Sequence, residues 1–439
     1  MKIFIETLGC PKNFNDTQVA KGILLGSGNE IAETPEDADA IMINTCGFIN
    51  DAKKESIERI FDFCEYKDEG KKIIVSGCLA KRYADELFEE MPEVDCFIGV
   101  NEYEKLPEIL EKLGKNLDER QKVVTDCIDS VLPKLERKLD DNCFSSTLKI
   151  AEGCNNRCAY CVIPSIRGDY RSKTVEDILA EAGELAQAGC KELIFIAQDV
   201  TNYGIDLYGE YKLPELLRRA CEIDGIEWIR LMYCYEDRIT DELIEVMATE
   251  PKICHYIDIP IQHSSDAVLK AMRRRSTEAS ISDTIERLRK RIPDIHIRTT
   301  LIVGFPGETD EDYEKLVNFV ENTRFARLGV FAYSQEENTP AGEMENQIDE
   351  DIKEERLDGI MRRQLDISLE LNKAEIGKTI EVLVEERDED GSYMGRSRYD
   401  APEIDNSVLF TSDRELKAGD IVRVKIEDAF DYDLVGKEV

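Results

Sequence analysis

The chain has 439 residues, enough for two to four domains, and its 14 cysteines are too few for a disulfide-stapled secreted scaffold. Its 93 Asp and Glu against 57 Lys and Arg give a formal net charge of −36. Such a charge disfavours direct binding of nucleic acid. The acidic residues either serve only to keep the protein soluble or attract a basic partner. No apolar run reaches membrane-spanning length and no signal-peptide pattern is present, so we expect a cytoplasmic protein with reduced thiols.

Residues 1–115 predict an amino-terminal parallel α/β domain. Short apolar runs typical of buried strands occupy Lys2–Ile5, Ala40–Ile43 and Lys72–Val75. Helical periodicity follows in segments such as Asp51–Phe63 and Lys81–Glu90. Strands that alternate with helices indicate a parallel sheet.

Each of these three predicted strands runs into a cysteine, namely Cys10, Cys46 or Cys78, with a glycine beside it. In an open parallel sheet, ligands bind beyond the carboxyl ends of the strands. The shared placement therefore predicts that the three thiols converge as a cluster site. For any one of them alone, a core residue at a strand end is the competing interpretation.

Apart from Cys154, Cys158 and Cys161, the other cysteines lack this placement at a strand end, and we interpret them as structural. They are Cys64, Cys96, Cys127, Cys143, Cys190, Cys221, Cys234 and Cys254.

Residues 116–143 are charged and irregular, which predicts a linker with a strand or two.

A second alternating pattern of strands and helices then extends through residues 144–372. Its predicted strands are Leu148–Ala151, Leu193–Ala197, Trp228–Met232, Tyr256–Ile261, Ile297–Val303 and Leu328–Tyr333. Its predicted helices include Val175–Ala188, Pro214–Ile223, Asp241–Thr249, Asp266–Arg274 and Asp310–Asn322. Six strands with crossover helices predict a right-handed, parallel, partial (β/α)6 barrel.

Cys154, Cys158 and Cys161 form the spacing C-x3-C-x2-C directly after the first strand of this second pattern. That position is the carboxyl-end rim, where barrel enzymes keep their active sites. Three thiolates can hold a four-iron cluster and leave one iron open for a substrate or cofactor.

Other interpretations of the triplet fit less well. Structural zinc prefers paired Cys or Cys/His sets, and the chain has only three histidines, all beyond residue 254. A disulfide within one tight turn is strained and would leave a third thiol over. Inert buried cysteines follow helix or strand periodicity, which this spacing does not.

Residues 301–309, Leu-Ile-Val-Gly-Phe-Pro-Gly-Glu-Thr, predict a strand and a glycine turn. The turn either lets the backbone approach a nucleoside closely or ends in a helix cap from Thr309 to Asp312. The two interpretations are equally supported by the sequence. It is not a phosphate loop, since the Gly-Lys-Ser/Thr ending is missing.

Several polar residues at predicted strand ends are weaker site candidates. Gln198, Gln262 and Arg298 are candidate cofactor contacts. We expect His263 to be an ordinary surface residue and Ser264 or Ser265 to cap the helix that begins near Asp266. The run Arg273–Arg275 is either a basic contact patch or, as we favour, a complement to the carboxyl end of its helix.

Residues 373–439 predict a small antiparallel β-barrel after a helix over Glu354–Lys373. The hydrophobic period changes there to two. The predicted strands are Thr379–Glu385, Ser392–Arg398, Ser407–Phe410 and Ile421–Ile426.

The cysteine triplet, with Tyr160 before its last cysteine, resembles the motif of the radical S-adenosylmethionine (SAM) superfamily. The resemblance implies a 4Fe–4S cluster on Cys154, Cys158 and Cys161 whose open iron chelates SAM. It also implies reductive cleavage of SAM to a 5′-deoxyadenosyl radical, and a place for Tyr160 near the adenine.

The resemblance to one family within that superfamily, the methylthiotransferases, covers the whole chain. Residues 7–13, 44–49 and 76–79 are similar to the amino-terminal domain of these enzymes, and residues 301–309 to another of their segments. The resemblance implies that Cys10, Cys46 and Cys78 bind a second 4Fe–4S cluster. The tail resembles their small TRAM barrel, which implies a role in holding substrate.

Two branches of the family compete, one acting on a transfer-RNA adenosine and one on an aspartate of ribosomal protein uS12. Gly9-Cys10-Pro11-Lys12-Asn13 resembles the ribosomal-protein branch. From Glu375 to Val439 there are nine Lys and Arg against eighteen Asp and Glu, a charge suited to a basic protein rather than to RNA. We expect methylthiolation of the aspartate β-carbon, with an electron donor as a further partner and the transfer-RNA activity as the alternative.

Overall fold

The computed structural model describes residues 1–115, 120–125, 132, 136–139 and 143–439. Cys127, which we expect to be structural, lies outside the described residues, as does much of the expected linker. The chain folds as two units. The amino-terminal unit comprises Met1–Asp140, Ala151–Arg157 and Cys161–Lys173; the carboxy-terminal unit comprises Asp141–Ile150, Cys158–Tyr160 and Thr174–Val439.

A six-stranded, wholly parallel sheet forms the centre of the amino-terminal unit, in the order β2-β1-β3-β4-β5-β6. Its strands are β1 (Lys2–Thr7), β2 (Glu30–Ile31), β3 (Ala40–Thr45), β4 (Lys72–Gly77), β5 (Cys96–Ile98) and β6 (Gln121–Val123). The helices of the unit are α1 (Pro11–Gly26), α2 (Asn50–Cys64), α3 (Cys78–Arg82), α4 (Ala84–Glu90), α5 (Leu106–Gly114) and α6 (Ile163–Arg167).

The three strands predicted for this unit are confirmed, and each runs two residues further than predicted. Every residue of β3 is buried, because helices cover both faces of the sheet. Ile41 and Ile43 pack into the core on one face, while Ala40 and Met42 pack into the core on the other. Continuous apolar runs are the expected pattern for such strands.

The predicted helix Lys81–Glu90 is interrupted at Tyr83, whose φ of −126° and ψ of 36° lie outside the helical region. α3 and α4 therefore replace one continuous helix. The helix α1 was not predicted, because its polar residues Asn13, Asn15 and Asp16 are buried and mask the amphipathic pattern.

The carboxy-terminal unit contains an open, parallel, six-stranded sheet in the order β14-β13-β12-β11-β10-β7. Its strands are β7 (Ser145–Lys149), β10 (Glu192–Ile196), β11 (Trp228–Leu231), β12 (Ile253–Asp258), β13 (His296–Val303) and β14 (Arg327–Ala332). Its helices are α7 (Val175–Gln187), α8 (Ile205–Tyr208), α9 (Leu213–Cys221), α10 (Asp241–Thr249), α11 (Asp266–Ala271), α12 (Glu278–Arg291), α13 (Asp310–Thr323) and α14 (Glu350–Lys373).

This open parallel sheet matches the predicted partial barrel. Each of the six strands has at least one boundary that differs from the prediction, by one residue in four of them and by two or three residues in β7 and β12. β7 ends at Lys149, and the next residues form the short strand β8 (Ala151–Glu152), which pairs antiparallel with β9 (Arg171–Ser172) in the amino-terminal unit. β12 begins three residues earlier than predicted, because Ile253 and Cys254 are buried with the rest of the strand.

The tail forms a closed five-stranded barrel in the order β15-β16-β17-β19-β18. Its strands are β15 (Thr379–Arg387), β16 (Tyr393–Ser397), β17 (Ser407–Thr411), β18 (Ile421–Ala429) and β19 (Asp433–Glu438). β19 was not predicted, and it pairs parallel with β17, so the barrel is not antiparallel throughout. Closure of the barrel removes the exposed edges that a short open sheet would present.

Buried ion pairs join this barrel to the six-stranded sheet of the same unit. Glu192 of β10 accepts hydrogen bonds from Arg230 (2.8 Å) and from Arg396 of the barrel (2.6 Å). Arg327 of β14 donates to Asp400 (2.6 Å).

Within the described part of the chain, every helix is too short or too polar to span a membrane.

Candidate iron–sulfur sites

Cys10, Cys46 and Cys78 follow three strands that are adjacent in the sheet, β1, β3 and β4. Cys46 and Cys78 are 8% and 5% exposed, and Cys10 is half-buried. A Cβ atom added at Gly9, whose φ is +92°, would lie 2.7 Å from Cβ of Cys46. The turn before Cys10 thus brings the first loop against the second, as the shared strand-end placement predicts.

The three thiols influence one another electrostatically. Burial raises the pKa of Cys46 to about 12, and Cys78 and Cys10 add to the rise. Burial also raises the pKa of Cys78, while Arg167 opposes that rise. Because the pKa values of Cys46 and Cys78 are raised, iron binding would release their protons and depend on pH.

Arg167 is the charged centre of this region, and its side chain is only 2% exposed. Its guanidinium donates to Asp16 (3.0 Å), Glu152 (3.0 Å) and Asn13 (2.9 Å), and to Sγ of Cys78 (3.4 Å). A fixed guanidinium beside a thiolate stabilises the ionised, metal-binding form.

Asn13 joins the loops that carry the cysteines. Its amide donates to the carbonyls of Leu8 (2.9 Å) and Thr45 (3.1 Å), at the ends of β1 and β3. Neither Asn13 nor Arg167 was proposed as a site residue from sequence, because their partners are far apart in the chain.

The described residues include no group of three or more His, Cys, Asp or Glu side chains with the geometry for a single metal ion.

The loop that carries Cys154, Cys158 and Cys161 begins at Gly153, in the amino-terminal unit. Gly153 has a φ of +81°, and a Cβ there would lie 2.1 Å from the carbonyl oxygen of Asp169, so only glycine fits. Cys154 is buried, and its backbone N–H donates to Gly168 (3.1 Å). Cys161 is half-buried.

Residues Cys158–Tyr160 of this loop belong to the carboxy-terminal unit. Both the N–H and the carbonyl of Ala159 form hydrogen bonds that hold them in place. Its N–H donates to the carbonyl of Met272 just after α11 (2.9 Å), and its carbonyl accepts from the N–H of Ala341 (2.9 Å). Sγ of Cys158 lies 3.7 Å from the hydroxyl of Tyr235. The half-buried Tyr160 packs against the apolar cluster around Phe305.

The candidate cofactor contacts occupy different parts of the carboxy-terminal unit. Gln198 lies just beyond β10, and Gln262 lies beyond β12, where it forms a β-bridge with Leu301. Both are therefore at the carboxyl edge of the sheet. Arg298 lies near the start of β13 and forms ion pairs with Asp258 (3.0 Å) and Asp405 (3.3 Å).

The segment 301–309 contains the predicted helix cap: Thr309 and Asp312 form a capping box at the start of α13. The glycine turn before it is organised by the buried Glu308, which sequence reasoning missed. Its carboxylate accepts from the N–H groups of Gly304 (2.9 Å) and Phe305 (3.3 Å) and from Arg356 (2.8 Å).

Of the two expectations for the loop after β12, that for His263 is wrong, and that for the helix cap is right in position but not in its hydrogen bond. His263 is fully buried rather than a surface residue; its Nδ1 accepts from the N–H of Ser265 (2.9 Å), and its Nε2 lies 3.6 Å from Glu308. Ser265 occupies the N-cap position of α11 but makes no side-chain cap bond, because its hydroxyl donates to Asp312 (2.5 Å). The loop folds inward onto the segment 301–309.

The expectation for the three arginines is wrong at Arg274. Arg273 and Arg275 are exposed, but Arg274 is buried, and it reaches away from the helix end to Glu236 (3.2 Å). A buried carboxylate competes better for a guanidinium than the partial charge of a helix terminus does.

Three family models match successive parts of the chain. They are "Uncharacterized protein family UPF0004" at residues 2–99, "Radical SAM superfamily" at residues 148–320 and "TRAM domain" at residues 376–439. Among solved structures, the radical SAM methyltransferase TsrM from Kitasatospora setae has a TM-score of 0.57 at 14% identity, over 78% of this chain and 74% of that one. The cobalamin-dependent radical enzyme OxsB has a TM-score of 0.55 at 15% identity, over 83% and 57%. These likenesses concern the fold alone.

Curated relatives match over nearly the full length. Proteins named ribosomal protein uS12 methylthiotransferase RimO are 49% identical in Desulforamulus reducens (99% of both chains) and 48% identical in Clostridioides difficile (99% of this chain, 98% of that one). The protein of that name from Geobacter sulfurreducens is 46% identical over 99% of this chain and 98% of its own. The chain therefore belongs to the RimO family of radical SAM methylthiotransferases.

Proposed function

We propose that this enzyme transfers a methylthio group to the β-carbon of an aspartate in ribosomal protein uS12. The observation that carries the proposal is full-length identity of nearly one half to relatives named for that activity. The two cysteine trios, at the edge of one parallel sheet and in the loop after the first strand of another, support it.

The two trios of thiols have separate roles in this proposal. Cys154, Cys158 and Cys161 would hold the 4Fe–4S cluster that binds SAM, and Cys10, Cys46 and Cys78 would hold the second. When bound, these cofactors supply one-electron cleavage of SAM, hydrogen abstraction from the β-carbon and the sulfur that is transferred. The C–H bond is too weakly acidic for a side-chain base, so no catalytic base is assigned.

The chain's own residues fix the positions of the thiols. Arg167 donates to Cys78, and Asn13 joins the loops after β1 and β3. Ala159 fastens the SAM-cluster loop to the segment after α11.

We retain Tyr160, Gln198 and Gln262 as proposed SAM contacts. Arg298 remains a weaker candidate, because Asp258 and Asp405 already engage its charge.

The charge of the barrel supports a basic protein substrate. Of its nine cationic side chains, several are paired with carboxylates, including Arg396 with Glu192, Arg398 with Glu381 and Arg414 with Glu438. The surplus of acidic residues includes an exposed run of Glu386, Asp388, Glu389 and Asp390, interrupted only by Arg387. Such a surface attracts lysine- and arginine-rich proteins and repels RNA. An electron donor completes the proposed partners, and reduced thiols suit work in the cytoplasm.

The test is anaerobic reconstitution with iron and sulfide, followed by incubation with SAM, a reductant and either uS12 or transfer RNA. We expect mass spectrometry to find a methylthio group on one aspartate of uS12 and none on the RNA. The opposite result would replace this proposal with the transfer-RNA activity. Deoxyadenosine release with neither product would overturn both.

Two variants sharpen the test. Cys46→Ala should lose methylthiolation and keep some SAM cleavage, whereas Cys158→Ala should lose both. Cys64→Ala is the matched control, because Cys64 is a half-buried cysteine of the same unit that ends α2 rather than a strand. It should keep both reactions, and unchanged methylthiolation in Cys46→Ala would remove Cys46 from the site.

A further inference from the structure

Cys143 and Cys190 lie opposite each other where the first two strands of the carboxy-terminal sheet begin. β7 and β10 are parallel neighbours, and Ser145 pairs with Glu192. The N–H of Glu192 donates to the carbonyl of Phe144 (3.0 Å), which extends the pairing towards the two cysteines. Counting back two residues on each strand from the Ser145 pair brings Cys143 level with Cys190.

The side chains of the two cysteines point the same way along their strands. Sγ of Cys143 lies 3.1 Å from the carbonyl oxygen of Ser145. Sγ of Cys190 lies 3.0 Å from the carbonyl oxygen of Glu192, so each thiol reaches two residues forward. A hydrogen bond between the two thiols raises the pKa of Cys190, and burial raises it further. Both cysteines are free, so two reduced sulfurs are in contact across neighbouring strands.

The spacing of the backbone at this position is compatible with a disulfide. Neighbouring strands lie about 4.8 Å apart, and a disulfide joins Cα atoms that are about 4.4–6.8 Å apart. The strand spacing is below the common separation of about 5.5–6 Å, so the bond would be strained and readily reduced again. Cys190 is fully buried and Cys143 is half-buried, so a dissolved reagent reaches Cys143 first.

We propose that Cys143 and Cys190 are a redox-active dithiol that is oxidised to a disulfide by exchange with a small-molecule disulfide. The sulfur of Cys143 loses its proton and attacks one sulfur of the reagent, whose S–S bond breaks and releases one small thiol. The sulfur of Cys190 then attacks the sulfur of Cys143 in this mixed disulfide and releases the second small thiol. The two protons and two electrons that the cysteines lose end on the two released thiols. The proposal gives a chemical role to two cysteines that the sequence suggested to be structural.

The pair is separate from the proposed catalytic chemistry. It lies at the amino ends of β7 and β10, whereas the proposed SAM contacts Gln198 and Gln262 lie at the carboxyl edge of the same sheet. Oxidation of the pair is therefore measured without SAM or uS12. An enzyme that forms the disulfide but never modifies uS12 would overturn the proposed function alone.

The test uses the reconstituted enzyme under anaerobic conditions, incubated with mixtures of reduced and oxidised glutathione. The remaining thiols are alkylated, and the protein is digested with trypsin for mass spectrometry. Cleavage after Lys and Arg gives peptides 139–149 and 174–191, each of which contains a single cysteine, Cys143 or Cys190. We expect these peptides to be linked increasingly as the share of oxidised glutathione rises, and to separate in excess reduced glutathione.

Two variants distinguish exchange within the pair from simple attachment of glutathione. Cys190→Ser should trap Cys143 as a mixed disulfide with glutathione, because no second sulfur is present to release it. Cys143→Ser should leave Cys190 reduced, because the buried thiol has lost its accessible partner. Cys64→Ser is the matched control, because Cys64 is another half-buried cysteine but ends α2. The linked peptides should form in this control as in the wild type.

Absence of the linked peptides at every glutathione ratio would overturn the proposal, whether Cys143 is then found free or with bound glutathione. Linked peptides that persist in excess reduced glutathione would also overturn it, because they would mark a permanent structural bond. The wild-type measurement decides both outcomes, so neither depends on the folding of a variant.

Discussion

The guanidinium of Arg167 donates a hydrogen bond to Sγ of Cys78 across 3.4 Å, in a region where neither side chain is more than a few per cent exposed. The same guanidinium neutralises Asp16 and Glu152. Burial raises the pKa of the Cys78 thiol, and Arg167 opposes that rise. The ion pairs stabilise the fold, and the hydrogen bond would stabilise a thiolate at Cys78.

Replacement of Arg167 should lower both the stability of the fold and the iron content of the protein. Arg167→Met removes the cation that pairs with the buried Asp16 and Glu152, so we expect the free energy of unfolding to fall by about 3–5 kcal/mol. We also expect iron content to fall towards one cluster per chain, measured together with the EPR spectrum of the reduced protein. Arg59→Met is the control, because Arg59 on α2 forms partly exposed ion pairs with Glu6 and Asp62 in the same unit. Full iron content in Arg167→Met would show that Cys78 does not need this cation.

A methyl group at Gly9 should disturb the same cysteine trio by steric contact. The added Cβ would lie 2.7 Å from Cβ of Cys46, and the φ of +92° disfavours any other residue. We expect Gly9→Ala to lower iron incorporation at the second site, measured by iron analysis after reconstitution.

The control for this variant separates contact from backbone strain. Gly28 has a similar φ of +82° in the same unit, but a Cβ there meets no atom of the described residues within 4 Å. Gly28→Ala should therefore lose about 1 kcal/mol of stability and no iron. Equal iron loss in both variants would attribute the effect to strain in the unit as a whole.

The strand ends that carry Cys10, Cys46 and Cys78 could be predicted, because apolar runs and their breaks are local features of the sequence. The surroundings of the cysteines could not. Arg167 pairs with Asp16 across 151 positions, and no periodicity reports such a contact. His263 was expected at the surface for a similar reason: a loop sequence does not tell whether the loop folds inward, and here Glu308 and Asp312 draw it in.

The tail illustrates the same limit. The alternation of apolar and polar residues predicted four strands of the barrel. β19 contains a glycine and the adjacent charged residues Lys437 and Glu438, which weaken this alternation. Its place between β17 and β18 is decided by closure of the barrel.

Acid should destabilise the carboxy-terminal unit through Glu192. Burial alone would raise the pKa of this carboxyl, but Arg396 and Arg230 outweigh it and lower the pKa to about 2. Because the folded pKa lies below the unfolded one, the contribution is complete above about pH 4.5 and disappears as the pH falls towards 2. It amounts to about 3 kcal/mol.

Urea unfolding at several pH values between 5 and 3 checks this prediction. Glu192→Gln should be about 3–5 kcal/mol less stable than the wild type at pH 5, because the buried Arg230 loses its anion and the buried Arg396 keeps Glu385 but loses Glu192. The difference should shrink as the pH falls. Glu242→Gln, which breaks only an exposed pair with Arg218, should cost at most about 1 kcal/mol. A difference that is constant with pH would show that Glu192 is not ionised in the folded protein.

Added salt should weaken the complex with uS12 if the acidic barrel attracts it. The Debye length falls from about 10 Å at 0.1 M salt to about 3 Å at 1 M, so attraction between exposed charges is progressively screened. We expect the association rate constant, measured by stopped-flow fluorescence, to fall with ionic strength and the dissociation rate constant to change less.

Neutralising the exposed run of the barrel tests where this attraction arises. The variant Glu386→Gln/Asp388→Asn/Glu389→Gln should associate with uS12 roughly threefold or more slowly at low salt, and the difference should vanish at high salt. The control Glu86→Gln/Glu89→Gln/Glu90→Gln removes the same number of exposed charges from α4, which is not part of the barrel. Equal slowing in both variants would mean that the net charge of −36, and not the barrel, attracts uS12. Screened attraction is short-ranged, so charges at the docking surface should matter more than charges elsewhere.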